Sequence, residues 1–200
     1  MYVRKDRYYR KAKEEGYRSR AAYKLIDIQK KHKIFHKKDI VVDLGCAPGG
    51  WLQVIAEEIG AGGRVYGVDR TRVKLLPQNW VTLLQGDIRD AEFQKTLRET
   101  VGTRVRVVSS DISPDLSGVG FRDHARSCEL VRCALHFARK VSAPGGIFLA
   151  KIFQGEDLER VIEEMQSVFR NVRRIVPPAS RKESAEIYLL ASGYLGASQD

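Results

Sequence analysis

The stretch Asp43-Leu44-Gly45-Cys46-Ala47-Pro48-Gly49-Gly50-Trp51 has the residue types of a ligand cradle, because it follows the apolar run Ile40-Val41-Val42 and opens a helical pattern. Glycines let the backbone approach a ligand closely, and the first N–H groups of a helix are unpaired donors. Glycine spacing separates the candidate ligands. A phosphate loop needs a lysine and a hydroxyl residue directly after its last glycine, and neither follows Gly50. A dinucleotide turn needs G-x-G-x-x-G, but Cys46 and Ala47 fill that interval, so a pyrophosphate fits poorly. The pattern that remains is an acid at a strand end, then G-x-x-x-G-G, then a second acid ending the next strand, as in Arg64-Val65-Tyr66-Gly67-Val68-Asp69.

Two such carboxylates suit a cationic, ribose-bearing ligand. S-adenosylmethionine is one: it has a ribose diol for Asp69, an ammonium group, a sulfonium and no phosphate. Asp87, in Leu83-Leu84-Gln85-Gly86-Asp87, sits where a third strand ends and suits the adenine amino group. An ordinary tight turn with aspartates as helix caps competes for one glycine turn alone. Three acids at successive strand ends weigh against it.

Two more strand-end features carry chemistry. Asp111 closes the apolar run Val105-Arg106-Val107-Val108-Ser109-Ser110 and is followed by turn residues. Lys151 lies inside the apolar run Ile147–Phe153, where burial disfavours an ammonium group without a partner. A lysine snorkelling from a strand end is the simpler reading of an isolated case. Glu186, just before Ile187-Tyr188-Leu189-Leu190, is a second charge in an apolar context and a candidate partner.

The elements that must position these groups alternate along the chain. After Asp87 the pattern predicts a helix over about 90–101, a strand to Asp111, a helix marked by Leu130, Val131, Ala134, Leu135 and Ala138, and a strand from Gly145 to Phe153. A helix over about 156–170, a strand over 171–176 and a last strand over 185–192 follow. Such alternation implies a parallel sheet with helices on both faces, and open sheets of this kind bind ligands at the carboxyl ends of their strands. Every acid singled out lies at that edge. At 200 residues and 43% hydrophobic, the chain is expected to form one domain: a basic arm over 1–17, a docked helix over 18–33 and a core over 39–194.

Charge is placed unevenly. The net charge is +10, yet residues 1–40 hold 14 Lys/Arg against 5 Asp/Glu and the rest is nearly balanced. An arm carrying Arg4, Lys5, Arg7, Arg10 and Lys11, interleaved with Tyr2, Tyr8, Tyr9, Tyr17 and Tyr23, suits a polyanion, since cations displace phosphate counterions and aromatic rings stack on bases. A solvated basic tail competes with that reading. Residues 18–33 favour a docked helix that also presents Arg18 and Arg20: Ser19 is a candidate cap, and Ala22, Leu25, Ile26 and Ile28 recur at helical spacing. The three cysteines are odd in number and lack metal or redox spacing, and the four histidines form no ligand group, so no metal is expected. No apolar run approaches a membrane span and no signal-peptide core follows Met1, so a cytoplasmic monomer is expected.

Six blocks in order, Arg18-Ser19-Arg20-Ala21-Ala22-Tyr23-Lys24-Leu25, Asp43–Trp51, Gln85-Gly86-Asp87, Ser110-Asp111, Lys151-Ile152-Phe153-Gln154-Gly155 and Ala185-Glu186-Ile187-Tyr188, resemble the FtsJ/RrmJ (RlmE-type) 2′-O-ribose RNA methyltransferases over about residues 15–194. The resemblance implies a Rossmann-like methyltransferase fold: a mostly parallel seven-stranded sheet with an antiparallel last strand. It implies a catalytic Lys-Asp-Lys-Glu tetrad on Lys24, Asp111, Lys151 and Glu186, and contacts to S-adenosylmethionine from Gly49, Trp51, Asp69, Asp87 and Asp111. The turn residues Gly45, Pro48 and Gly50 are expected to join that set. Cys46, Ser113 and Asp115 depart from residues common in the family. The implied substrate is RNA, with large-subunit ribosomal RNA favoured over the tRNA anticodon loop or an mRNA cap because no RNA-binding module follows the last strand. A non-catalytic RNA-binding assembly factor is the alternative of another class, and the intact tetrad argues against it.

Overall fold

The computed structural model describes residues 7–181 and 184–196. Seven strands form one sheet: β1 (Ile40–Leu44), β2 (Arg64–Asp69), β3 (Val81–Gln85), β4 (Val105–Ser110), β5 (Ser142–Phe153), β6 (Phe169–Ile175) and β7 (Glu186–Tyr194). Their order is β3-β2-β1-β4-β5-β7-β6. The first five run parallel, and β7 runs antiparallel to both β5 and β6. Six helices surround them: α1 (Arg7–Glu14), α2 (Ala21–His32), α3 (Gly50–Ile59), α4 (Ala91–Val101), α5 (Gly120–Val141) and α6 (Leu158–Gln166).

The two-residue period of a strand divides the core into two layers. Val42, Leu44, Val108, Phe148, Ala150, Ile152, Ile187 and Leu189 pack with α4, α5 and α6. Their neighbours Val41, Val107, Ile147, Leu149, Tyr188 and Leu190 pack with α2 and α3. Burial on both faces explains why the central strands read as nearly continuous apolar runs.

Four expectations change in detail. Within the basic arm, residues 7–14 form a helix that the sequence reading does not assign, because Ala12 is buried and Tyr8 and Tyr17 pack on Tyr23, with ring centroids 5.5 and 5.7 Å apart. Ser19 is no helix cap: Arg20 holds that position without a capping side chain, and Ser19 lies against Gly50. The helix after β4 starts ten residues before Leu130, at Gly120, where the polar His124 and Ser127 are buried by contacts with Phe153 and Asp157, distant in sequence, and Asp123 by the preceding turn at Ser117 and Gly118. The helix expected to reach 170 ends at Gln166, since Phe169 is already paired with Tyr194 in the sheet.

Candidate active site

The reversal in strand order falls between β1 and β4, where open α/β sheets form a crevice. A cavity of about 600 Å³ lies there, lined by residues that include Gly45, Asp69, Asp87 and Asp111. Gly45 closes β1 with φ +75°, and a side-chain carbon there would come within 2.7 Å of Ile112, so the turn requires glycine. Asp69 accepts the backbone N–H of Ala47 at 2.9 Å and that of Thr71 at 2.7 Å, which fixes it at the rim. Asp87 is gripped by Arg89, whose Nη2 lies 2.6 Å from Oδ2 and whose Nε and backbone N donate to Oδ1. These hydrogen bonds hold its carboxyl down at about 2.

The other expected cofactor residues lie outside the cavity lining. Gly49 has φ +111° and packs on the Arg18 side chain; a side-chain carbon on Gly50 would meet Ser19 Oγ at 2.3 Å. Trp51 is buried under α2, donates from Nε1 to Ala21 O at 3.0 Å and rests on Tyr188. Pro48 O accepts from Arg18 Nη1 at 3.3 Å. This half of the glycine turn seats the segment that carries α2, which in turn carries Lys24.

Lys24, Asp111, Lys151 and Glu186 come together from four elements. Lys151, Glu186 and Tyr188 share the α2 side of the sheet, because β5 and β7 pair Lys151 with Tyr188 and Phe153 with Glu186. Lys24 Nζ lies 2.7 Å from Glu186 Oε2. Lys151 Nζ lies 3.7 Å from Glu186 Oε1, 3.4 Å from Asp111 Oδ1, and donates to Asp111 O at 3.0 Å. Both lysines are buried. Alternation of charge resolves the cost of burying them, since each ammonium faces a carboxylate. Burial pushes the Glu186 carboxyl up, but the charge and hydrogen bond of Lys24, with Lys151 beyond, outweigh it and hold the group below its ordinary value. Tyr188, missed in the sequence because it looks like any core tyrosine, donates to Asp111 Oδ1 at 2.8 Å. Its own burial and that carboxylate push the phenol well above its ordinary value, so it stays a donor.

Asp43 is the second residue with an unforeseen environment. It is fully buried, accepts from Ser109 Oγ at 2.8 Å, and its other oxygen has no partner. Burial pushes its carboxyl up to about 8.

The basic residues divide. Arg7 and Arg10 are exposed on α1, and Lys11 is paired with Glu15 and lies over the Tyr23 ring. Arg18 donates to the carbonyls of Lys74 and Leu75, and Arg20 to that of Ala179, so both tie loops together. Arg4 and Lys5 lie outside the described residues. Among the described residues no group of His, Cys, Asp or Glu is arranged to hold a metal, and no helix is long and apolar enough to cross a membrane.

The sheet order, with a crevice at the strand reversal and a charged cluster beside it, defines an α/β fold of the Rossmann-like class. Residues 17–194 match the family model described as FtsJ-like methyltransferase. The protein named ribosomal RNA large subunit methyltransferase E of Halorubrum lacusprofundi is 47% identical over 190 residues, covering 94% of this chain and 71% of its own. Its namesake in Methanothermobacter thermautotrophicus is 42% identical over 96% of this chain and 92% of its own. A crystal structure described as a ribosomal RNA methyltransferase from Plasmodium falciparum superposes with a TM-score of 0.80 at 30% identity, covering 90% of this chain and all of that one. The chain belongs to the FtsJ-like methyltransferase family.

Proposed function

We propose that this enzyme transfers a methyl group from S-adenosylmethionine to the 2′-hydroxyl of a ribose, in a uridine of large-subunit ribosomal RNA. The observation that carries the reading is the convergence of Lys24, Glu186, Lys151 and Asp111 beside a crevice whose rim holds Asp69 and Asp87.

The crevice fits the proposed methyl donor. Its lining includes five carboxylates, Asp69, Asp87, Asp111, Asp115 and Glu129, against three arginines, a balance that suits a cation better than a phosphate. Leu44, Val68, Ile88, Ile112 and Leu130 supply apolar surface for an adenine. Asp69 would take the ribose diol. Asp87 would take the adenine amino group with acceptor capacity left over, since a carboxylate offers about four lone pairs. Bound there, S-adenosylmethionine supplies an electrophilic methyl group on a sulfonium.

The chain's own work is positional. Lys151 is the group that orients the hydroxyl: its ammonium has three donors, one of which is given to Asp111 O. Asp111 and Glu186 fix that ammonium from two sides, and Lys24 holds Glu186. Tyr188 donates to Asp111 Oδ1, the same oxygen that faces Lys151. Keeping nucleophile and electrophile in line is worth about 7–11 kcal/mol in well-oriented reactions, which makes positioning the larger contribution. The hydroxyl proton leaves late in the transfer, as the oxygen–carbon bond forms and the carbon–sulfur bond breaks.

The relatives' names support large-subunit ribosomal RNA as the target. The test is labelled methyl transfer to large subunits, small subunits, tRNA and capped mRNA, followed by mapping. Label on the 2′-oxygen of a uridine in large-subunit RNA is expected, and label confined to tRNA or caps would overturn the assignment.

A further inference from the structure

A second cavity, about 550 Å³, meets the first at Ser113 and has Lys24 and Glu186 in its wall. Its lining is chemically divided: Arg20 and Arg181 bring positive charge, while Leu116 and Phe153 bring apolar surface. The segment beside it is unusual. Leu116 is 70% exposed, Val119 42% and Phe121 77%. Single exposed apolar side chains are ordinary, but three within six residues, the first of them lining the cavity, mark a binding surface.

The segment is also fixed. Asp123, in the first turn of α5, accepts from Ser117 N at 2.8 Å, Ser117 Oγ at 2.7 Å and Gly118 N at 3.2 Å. Arg126 donates to Asp115 O at 3.1 Å. Leu116 lines the cavity itself, and Phe121 follows Gly120, which lines it too. Packing of α5 does not use either side chain, because that helix buries Cys128, Val131, Ala134 and Ala138 on the sheet.

Single-stranded RNA can splay a nucleotide out of its stack to present its 2′-hydroxyl to a recessed group, and doing so bares both faces of the base. The cavity offers an apolar surface for such a face and guanidinium groups for the neighbouring phosphates. We propose that Leu116 and Phe121 form a platform that receives the unstacked base of the nucleotide being methylated. The proposal rests on the RNA reading above and adds the part of the substrate that the charged cluster does not touch.

The test combines two measurements on the whole chain. The first is binding of a short single-stranded oligoribonucleotide carrying one 2-aminopurine, whose fluorescence falls on stacking. The second is the RNA concentration giving half-maximal methyl transfer, with S-adenosylmethionine affinity and melting temperature as controls. Leu116→Ala and Phe121→Ala are expected to weaken RNA binding about tenfold and to relieve the fluorescence quench, Phe121→Trp to restore both, and the controls to stay unchanged. Quenching and RNA affinity within twofold of the starting protein in both alanine variants would overturn the platform. So would a loss seen only with ribosomal particles and not with the oligoribonucleotide, which would assign the rim to a protein contact. If the starting protein methylates no RNA but still quenches through Phe121, the platform stands and the activity assignment falls.

Discussion

At the scale of single residues, the site shows how the same element of design, a buried charge, is resolved in two ways. Lys24, Glu186, Lys151 and Asp111 alternate basic and acidic groups, so each has a partner of opposite sign. Asp43 has no cation and resolves its burial by holding a proton. Its sign follows directly: a carboxyl lifted from 3.8 to about 8 binds a proton more tightly folded than unfolded. The stability this carboxyl contributes is therefore fully present below about 4, falls as pH rises towards 8, and is lost above it. Asp43→Asn keeps an acceptor for Ser109 and cannot ionise. Denaturant melts from pH 4 to pH 9 should show the variant losing most of that slope and gaining on the order of 2–5 kcal/mol over the starting protein at pH 9. Parallel slopes in the two proteins would show that Asp43 is ionised in the folded state. None of this was legible in the sequence, where Asp43, Asp69, Asp87 and Asp111 look alike. Each lies at or near a strand end, and only the folded surroundings distinguish one held by backbone N–H groups, one gripped by arginine, one beside a lysine and one with a single hydroxyl partner.

At the scale of elements, strands were the easiest to read because burial on both faces demands long apolar runs, and helices were hardest where polar residues carry the contacts. Residues 120–129 are polar, yet they form the start of α5, because His124 is bonded on both ring nitrogens, to Phe153 O at 2.8 Å and Asp157 N at 3.0 Å. Ser127 Oγ accepts the N–H of Phe153 at 3.1 Å. One turn of α5 thereby fixes the end of β5, two residues past Lys151. The N-terminal arm shows the reverse case. Its tyrosines suggest base stacking, but Tyr8, Tyr17 and Tyr23 pack on one another and pin α1 to α2. What α1 would offer an RNA under the proposed function is charge. Neutralising Arg4, Lys5, Arg7, Arg10 and Lys11 together should lower RNA affinity and reduce the slope of log affinity against log salt by about 3.5, as five lost phosphate contacts imply for a single strand. A salt titration with an unchanged slope would remove the arm from the interface.

At the scale of the whole molecule, the sheet acts as a ruler that brings remote residues to one edge. Lys24 and Glu186 are 162 positions apart in sequence and 2.7 Å apart in space. Register alone sets Lys151 opposite Tyr188 and Glu186 opposite Phe153, and the docking of α2 on the glycine turn supplies the second lysine. The two cavities meet beside this cluster, one acidic and one with a basic wall, which suits a cationic methyl donor on one side and an anionic acceptor on the other. The central claim is that Lys151 aligns the accepting hydroxyl where the two meet. Single-turnover methyl transfer to large-subunit RNA by Lys151→Ala, with S-adenosylmethionine affinity measured on the same sample, tests it most directly. A fall in rate of at least about 100-fold with cofactor affinity within twofold is predicted. Near-normal transfer by a variant that still binds the cofactor would contradict it.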